Sequence, residues 1–383
     1  MEKICIYIDG YIFATVKPNR FLLYNFEERT GRTFPVYNEL TYKTLLSLTN
    51  PSNSYSIIID KNLLKLKDLQ DIVSFLKQNY WGDCITITGN DKPITFIPLC
   101  NLEGYKQKEL NSIIEITIAI NNEKERLDLP TIQKQIPYIY QASSYKEIDL
   151  DLLKEFIFQL SSDVIINITG GNIFEYSRFR ELHESISCFN NINFFFRKEY
   201  INKKLDINNS SIIFTSLTPH DEILCKEYDI PNVSFYFIVE NNEELNTALS
   251  IKQKLKNANI IIQPYWKNNN IFFEEFVLFE KNDLLLQNKS KSDIYINKNI
   301  NKNFYGNIFI DPYGYIYTSY NLPQIGNYKD SIKQILENAT KPDQAWHLTR
   351  ATGICADCIY QWFCPAISDY ELFLNKLKPC KIK

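Results

Sequence analysis

Four cysteines crowd the last part of this 383-residue chain: Cys355, Cys358, Cys364 and Cys380. Two thiolates separated by two residues chelate a single centre, because the turn between them points both sulfurs inward. A third and a fourth complete a four-sulfur shell. Soft donors of this kind suit zinc or an iron–sulfur cluster equally, and the spacing does not separate the two. His220 and His347 are not needed as ligands and are read as surface or packing residues. The other five, Cys5, Cys84, Cys100, Cys188 and Cys225, stand singly among apolar neighbours and are expected to be packed thiols.

Two weaker candidates lie upstream. The apolar run Val164–Ile168 leads into Thr169-Gly170-Gly171-Asn172. Glycine lets backbone approach a ligand closely, although Gly-Gly after a strand is also an ordinary turn. Asp163, Glu175, Arg178, Arg180, Glu181 and His183 carry titratable groups that an enzyme of another chemistry could use. They form no nucleophile–base–orienter set, so a solvated helix face is expected there.

The elements that must position these residues fall into three blocks. Residues 1–105 open with strand-like runs at Ile4–Ile8, Tyr11–Val16 and Phe21–Tyr24, and a turn is expected at Thr30–Arg32. Helical patterns follow at Tyr42–Leu48 and Leu66–Asn79, the latter with Leu69, Ile72, Val73 and Leu76 on one face. Ile85–Ile87 and Thr95–Ile97 would make a hairpin around Asn90-Asp91, which completes the outline of a winged helix-turn-helix. Residues 106–285 alternate near-continuous apolar runs, beginning with Ile113–Ile120, with helical patterns, as parallel βα units do. An open partial barrel and a doubly wound sheet both satisfy that pattern. Gln287–Phe304 is rich in Asn, Lys and Ser and reads as a linker, with Lys298–Asn303 solvated. Residues 304–383 hold a hairpin candidate around Asp311-Pro312-Tyr313-Gly314, and then the cysteines.

Composition bounds the partners. A net charge of −3 and a pI of about 5.8 provide no general attraction to nucleic acid. No run approaches the roughly 18 apolar residues of a membrane helix. Met1–Ile8 has no signal-peptide pattern. The expected location is therefore cytoplasmic, without membrane contact. In such a reducing compartment nine cysteines point to metal ligation or buried thiols rather than disulfides.

Taken together, Tyr305-Gly306-Asn307, Ile310 to Gly314, Ile325-Gly326-Asn327 and Cys355-x2-Cys358-x5-Cys364-Pro resemble the SPASM domain of radical-SAM peptide maturases. The resemblance implies an α/β chain with three parts: an N-terminal winged-helix-like module, a degenerate partial (β/α)6 barrel and a C-terminal SPASM-like domain. It implies one [4Fe–4S] cluster on Cys355, Cys358, Cys364 and Cys380. A second cluster of the family is not expected, because two of its cysteine positions hold Ser319 and Ser368. Gly170 and Gly171 resemble the turn that meets the amine of S-adenosylmethionine, with Asn172 in place of its glutamate. The family's three-cysteine loop after the first barrel strand is missing, since no cysteine lies between Cys100 and Cys188. Bound S-adenosylmethionine and radical catalysis are therefore not expected. The chain is similar to pseudo-radical-SAM proteins of ribosomal-peptide maturation. The implied partners are a precursor peptide, captured beside a strand near Arg20–Tyr24 and a helix near Leu66–Asn79, and a genuine radical-SAM maturase, with which a heterodimer could form. An electron-transfer role for the cluster, flanked by Tyr360, Trp362 and Phe363, is a further alternative.

Overall fold

The computed structural model describes residues 2–88, 95, 113–123, 132–201, 209–280, 283–284, 288–374 and 380–381. Its N-terminal part is built from two small antiparallel sheets. Strand β1 (Lys3–Ile8) is followed by a meander of β2 (Ile12–Lys17), β3 (Arg20–Asn25) and β4 (Thr30–Pro35), in which β3 is central. The turn expected at Thr30–Arg32 falls earlier. The Asn25 side chain accepts the Glu27 and Glu28 amides at 2.8 and 3.1 Å, and Arg29 takes a left-handed φ of 57°. The chain has thus reversed before Thr30, which leaves Thr30–Pro35 free to pair.

Helix α1 (Glu39–Leu48) starts at Asn38, whose side chain accepts the Leu40 amide. After β5 (Ser56–Asp60), α2 (Lys67–Gln78) buries Leu69, Ile72, Val73 and Leu76, the face read from the sequence. Strand β6 (Gly82–Ile87) then pairs with β1 in the order β5-β1-β6. The first arm of the expected wing hairpin is thus a partner of β1. Most of the second arm, Thr95–Ile97, and Asn90-Asp91 lie outside the described residues.

The second part is a mixed α/β unit. Strands β7 (Glu115–Ala119), β8 (Ile165–Thr169), β9 (Asn191–Arg197), β10 (Ser210–Phe214), β11 (Val233–Val239) and β12 (Asn259–Pro264) are parallel and adjacent in chain order. Within these six strands the order does not reverse. Helices α3 (Leu150–Ile157), α4 (Phe179–Ile186), α5 (Asp221–Glu227), α6 (Asn242–Lys254) and α7 (Asn270–Phe276) punctuate the strands. Ile116, Ile118, Ile166, Ile168, Phe235 and Phe237 share one core with Leu153, Phe156, Leu182 and Ile251 of these helices.

The stretch read as a linker contains α8 (Lys291–Asn299), with Ser290 and Asp293 forming a capping box. It is only partly solvated: Asn301 is buried and Lys298 lies over the rings of Phe13 and Trp362, while Lys302 and Asn303 are exposed. Strand β13 (Asn307–Ile310) joins β7 in parallel, and β14 (Tyr315–Tyr317) and β15 (Gly326–Asn327) follow antiparallel, which completes a nine-stranded sheet. Gly314 turns the β13–β14 hairpin at φ 86°, where a Cβ would overlap the Tyr328 ring. Helices α9 (Ile332–Ala339) and α10 (Asp369–Leu374) bracket the cysteine loop.

Candidate functional site

Cys364 is buried, while Cys355, Cys358 and Cys380 are half-buried. The Cys358 amide donates to the Cys355 carbonyl at 3.0 Å, closing a turn between the two thiols. Cys380 arrives from the far end of the chain and lies beside Phe279, whose carbonyl accepts the Lys381 amide at 2.9 Å. One wall of the loop is apolar: Phe13, Leu22 and Tyr24 from β2 and β3 pack with Ile294, Ile359, Tyr360, Phe363 and Cys364. The other carries Arg350, whose guanidinium is paired with Glu371 at 3.0 and 3.1 Å and reaches 3.9 Å from the Cys355 sulfur.

Burial pushes the Cys364 thiol up to about 12, with further contributions from Cys358, Cys380 and Cys355. Cys358 is likewise raised, first by burial and then by Cys380 and Cys355. Among the described residues, no three His, Cys, Asp or Glu side chains are grouped closely enough to hold a metal ion. Thiols are the donor type a soft metal prefers, but here the four are not drawn together into a metal-holding group. Thiols held protonated by burial become thiolates when a cation replaces their protons.

Asparagines secure this loop, a role that composition alone did not suggest. Asn297 donates to the carbonyls of Trp362 and Cys364 at 2.9 and 3.3 Å, and Asn301 to that of Ile367 at 3.1 Å. Ser319 and Ser368 join hydrogen-bond networks. Ser319 donates to Asp369 at 2.8 Å, and Ser368 to Glu371 at 3.1 Å. Desolvation raises the Asp369 carboxyl to about 7.

Gly170 and Gly171 approach the chain's own backbone. A Cβ on Gly170 would stand 2.5 Å from the Asn121 carbonyl oxygen, and one on Gly171 would stand 2.6 Å from the Asn122 carbonyl carbon. The Gly171 amide donates to Asn121 Oδ1 at 2.9 Å, and Asn121 donates back to the Asn172 carbonyl at 2.7 Å. Beside this turn, at the carboxyl ends of β7, β8 and β9, a cavity of about 300 Å³ is lined by Asn121, Glu123, Asn172, Glu175, Arg197 and Tyr200. Buried Glu123 accepts from the Tyr200 hydroxyl at 2.6 Å and faces Arg197 at 3.3 Å. Its carboxyl is raised chiefly by burial.

The sheet face opposite the helices is filled from within. Ile132, Ile136, Tyr138 and Ile139 pack on Phe195, Ile213, Tyr236 and Ile238. Tyr138 stacks on Phe195 at 4.1 Å between ring centroids. The segment is pinned at several points. The Thr169 hydroxyl donates to the Tyr138 carbonyl, Gln135 exchanges hydrogen bonds with the Trp266 backbone, and Asn321 donates to the Lys134 carbonyl at 2.6 Å.

The charged set weighed as an alternative active site is dispersed. Arg178 pairs with Asp151 and Glu181, Lys154 also reaches Glu181, and Arg180 pairs with Glu184. Glu181, His183 and Asp163 are exposed. Of the six, Glu175 alone lines the cavity at the strand ends. Cys5 and Cys225 are buried as expected and Cys84 is half-buried. Cys188 is exposed, because it follows the C-terminus of α4 where Phe189 turns inward in its place. Cys100 lies outside the described residues. His220 is exposed, and His347 packs on Tyr305.

The N-terminal module offers a different kind of site. Between β4 and α2 runs a groove of about 830 Å³, lined by Arg32, Phe34, Tyr37, Asp71 and Phe75 among others. The Arg32 guanidinium lies 4.9 Å from the Phe75 ring centre and 5.4 Å from that of Phe34. Strand β3, where the sequence suggested the docking edge, is paired on both sides. Among the described residues β2 and β4 each pair with β3 alone, so both are edges, and β4 is the one that lines the groove with α2.

The fold is similar to the crystal structure of Streptococcus suis SuiB bound to S-adenosylmethionine, at 12% identity over 97% of each chain and a TM-score of 0.40. No protein-family profile matches the sequence, and no curated protein matches it.

Proposed function

We propose that this chain is an accessory, non-catalytic pseudo-radical-SAM/SPASM protein that binds an extended precursor peptide, alone or together with a genuine maturase, during peptide modification. The observation that carries the reading is the open edge of β4 facing α2 across a groove of about 830 Å³. An added strand would gain main-chain hydrogen bonds from the edge, and alternate side chains would meet Phe34, Phe75 and Arg32. The filled face of the parallel sheet supports a non-catalytic role, since Ile132–Tyr140 takes the room a substrate would need there. Cys355, Cys358, Cys364 and Cys380 would hold one [4Fe–4S] cluster, which as a closed four-thiolate centre supplies bracing or electron relay. Gly170 and Gly171 are then a vestige of a cofactor turn, now occupied by Asn121 and Asn122.

The test is selection of peptides from a displayed random library on the full chain, followed by titration of the selected peptides. Arg32→Glu should weaken binding about tenfold or more with an unchanged melting temperature. Selected peptides indifferent to that substitution would sink the docking site. Anaerobically purified chain should carry about four iron and four sulfide, and a single stoichiometric zinc would replace the cluster assignment.

A further inference from the structure

The groove between β4 and α2 carries opposite charges at different points along its length. Near the start of α2, Asp68 accepts the Tyr37 and Asn38 amides at 3.0 Å each and the Thr41 hydroxyl at 2.7 Å. That carboxylate is spent on the fold, and it ties the helix start to the chain just beyond β4. Further along α2, Phe75 meets β4 itself: its ring centre lies 5.1 Å from that of Phe34 and 4.9 Å from the Arg32 guanidinium. The helix therefore begins beside Tyr37 and reaches Arg32 in its later turns. Asp71 stands between these points on the groove wall, one turn before Phe75. Arg32 and Asp71 are exposed, and among the described residues neither side chain has an ion-pair or hydrogen-bond partner. Lys67, the other cation of the groove, opens the helix one turn before Asp71, on the side away from Arg32.

Four helical residues rise about 6 Å, which is the reach of about two residues of an extended strand. Side chains two apart on a strand share a face. A strand added to the β4 edge would set one side chain over Arg32 and the next of the same face beside Asp71. We infer that the groove selects peptides in which an acidic and a basic side chain stand two positions apart, the acid on Arg32 and the base on Asp71. The inference rests on the peptide-docking reading above and names the class of peptide. Arg32 is already held over two rings, so its guanidinium gives up little freedom when a carboxylate joins it. Each charge also rejects a guest with the two signs exchanged.

The experiment is selection from a displayed library of random peptides on the full chain, on Arg32→Glu and on Asp71→Lys, followed by titration of the selected peptides at low and high salt. Peptides selected on the native chain should carry an acid and a base two positions apart. The order in which the two occur reports the direction of the added strand. Arg32→Glu should replace the acid by a base at its position, and Asp71→Lys should replace the base by an acid. Native-selected peptides should bind about tenfold more weakly to Arg32→Glu and about fivefold more weakly to Asp71→Lys, with both differences shrinking at high salt. If either variant melts early, the same peptides with the two charged residues exchanged, titrated on the native chain, make the equivalent measurement and should lose at least as much. Peptides that Arg32→Glu weakens, but that lack the spaced pair or are unmoved by Asp71→Lys, overturn the inference and leave the docking reading standing. Peptides indifferent to Arg32→Glu remove that reading and the inference with it.

Discussion

Across the nine-stranded sheet, the face turned away from the helices is covered by Ile132, Ile136, Tyr138 and Ile139 of the same chain. Across the N-terminal meander, β4 keeps an open edge, and the groove between it and α2 is lined by Phe34, Phe75 and Arg32. Both regions present aromatic side chains and backbone that could receive a guest. One is already satisfied by an internal segment, with hydrogen bonds from Thr169, Gln135 and Asn321, and the other is left uncovered among the described residues. Among the described residues, then, the larger sheet is the one whose second face the chain covers itself, while the small meander borders a groove.

The sharpest way to break this contrast is to cut into the filled face. Tyr138→Ala removes a ring stacked on Phe195 and should destabilise the chain by about 3 kcal/mol, read as a shift in urea midpoint. A change below about 1 kcal/mol would mean that the segment only rests on the sheet.

A second measurement tests how that segment is pinned. Asn321 links the Lys134 carbonyl to the Asp369 carbonyl, and Asp369 also accepts from Ser319. The Asp369 carboxyl is raised from 3.8 to about 7, first by desolvation. A raised acid binds its proton more tightly when folded. Its contribution is thus fully present below about pH 4 and is lost as pH climbs through about 7. Thermal midpoints across that window should fall for the native chain and fall less for Asp369→Asn. Parallel curves would exclude Asp369 as the titrating group.

The smallest effect is expected at the open groove. Arg32→Ala loses contacts with two ring faces at a solvated site and should cost less than about 1 kcal/mol in thermal or urea unfolding. A larger loss would make Arg32 part of the fold, and the groove would no longer be a surface held free for a partner.

Local pattern carried much of the architecture. The apolar face of α2, the succession of strands from β7 to β12 and the Asp311–Gly314 turn all follow from periodicities and turn residues within a few positions of one another. The spacing of four cysteines near the C-terminus was equally visible, but the structure draws no three of their thiols into a metal-holding group. Tertiary packing decided the rest. It placed β6 beside β1, made a helix of a stretch whose composition suggested a linker, and gave Gly170 and Gly171 to Asn121 and Asn122. It also set the cysteine loop against Leu22 and Tyr24, more than 300 positions away in the chain. Contacts at such separations leave no periodic trace, because each depends on which surfaces remain uncovered once the local elements have formed.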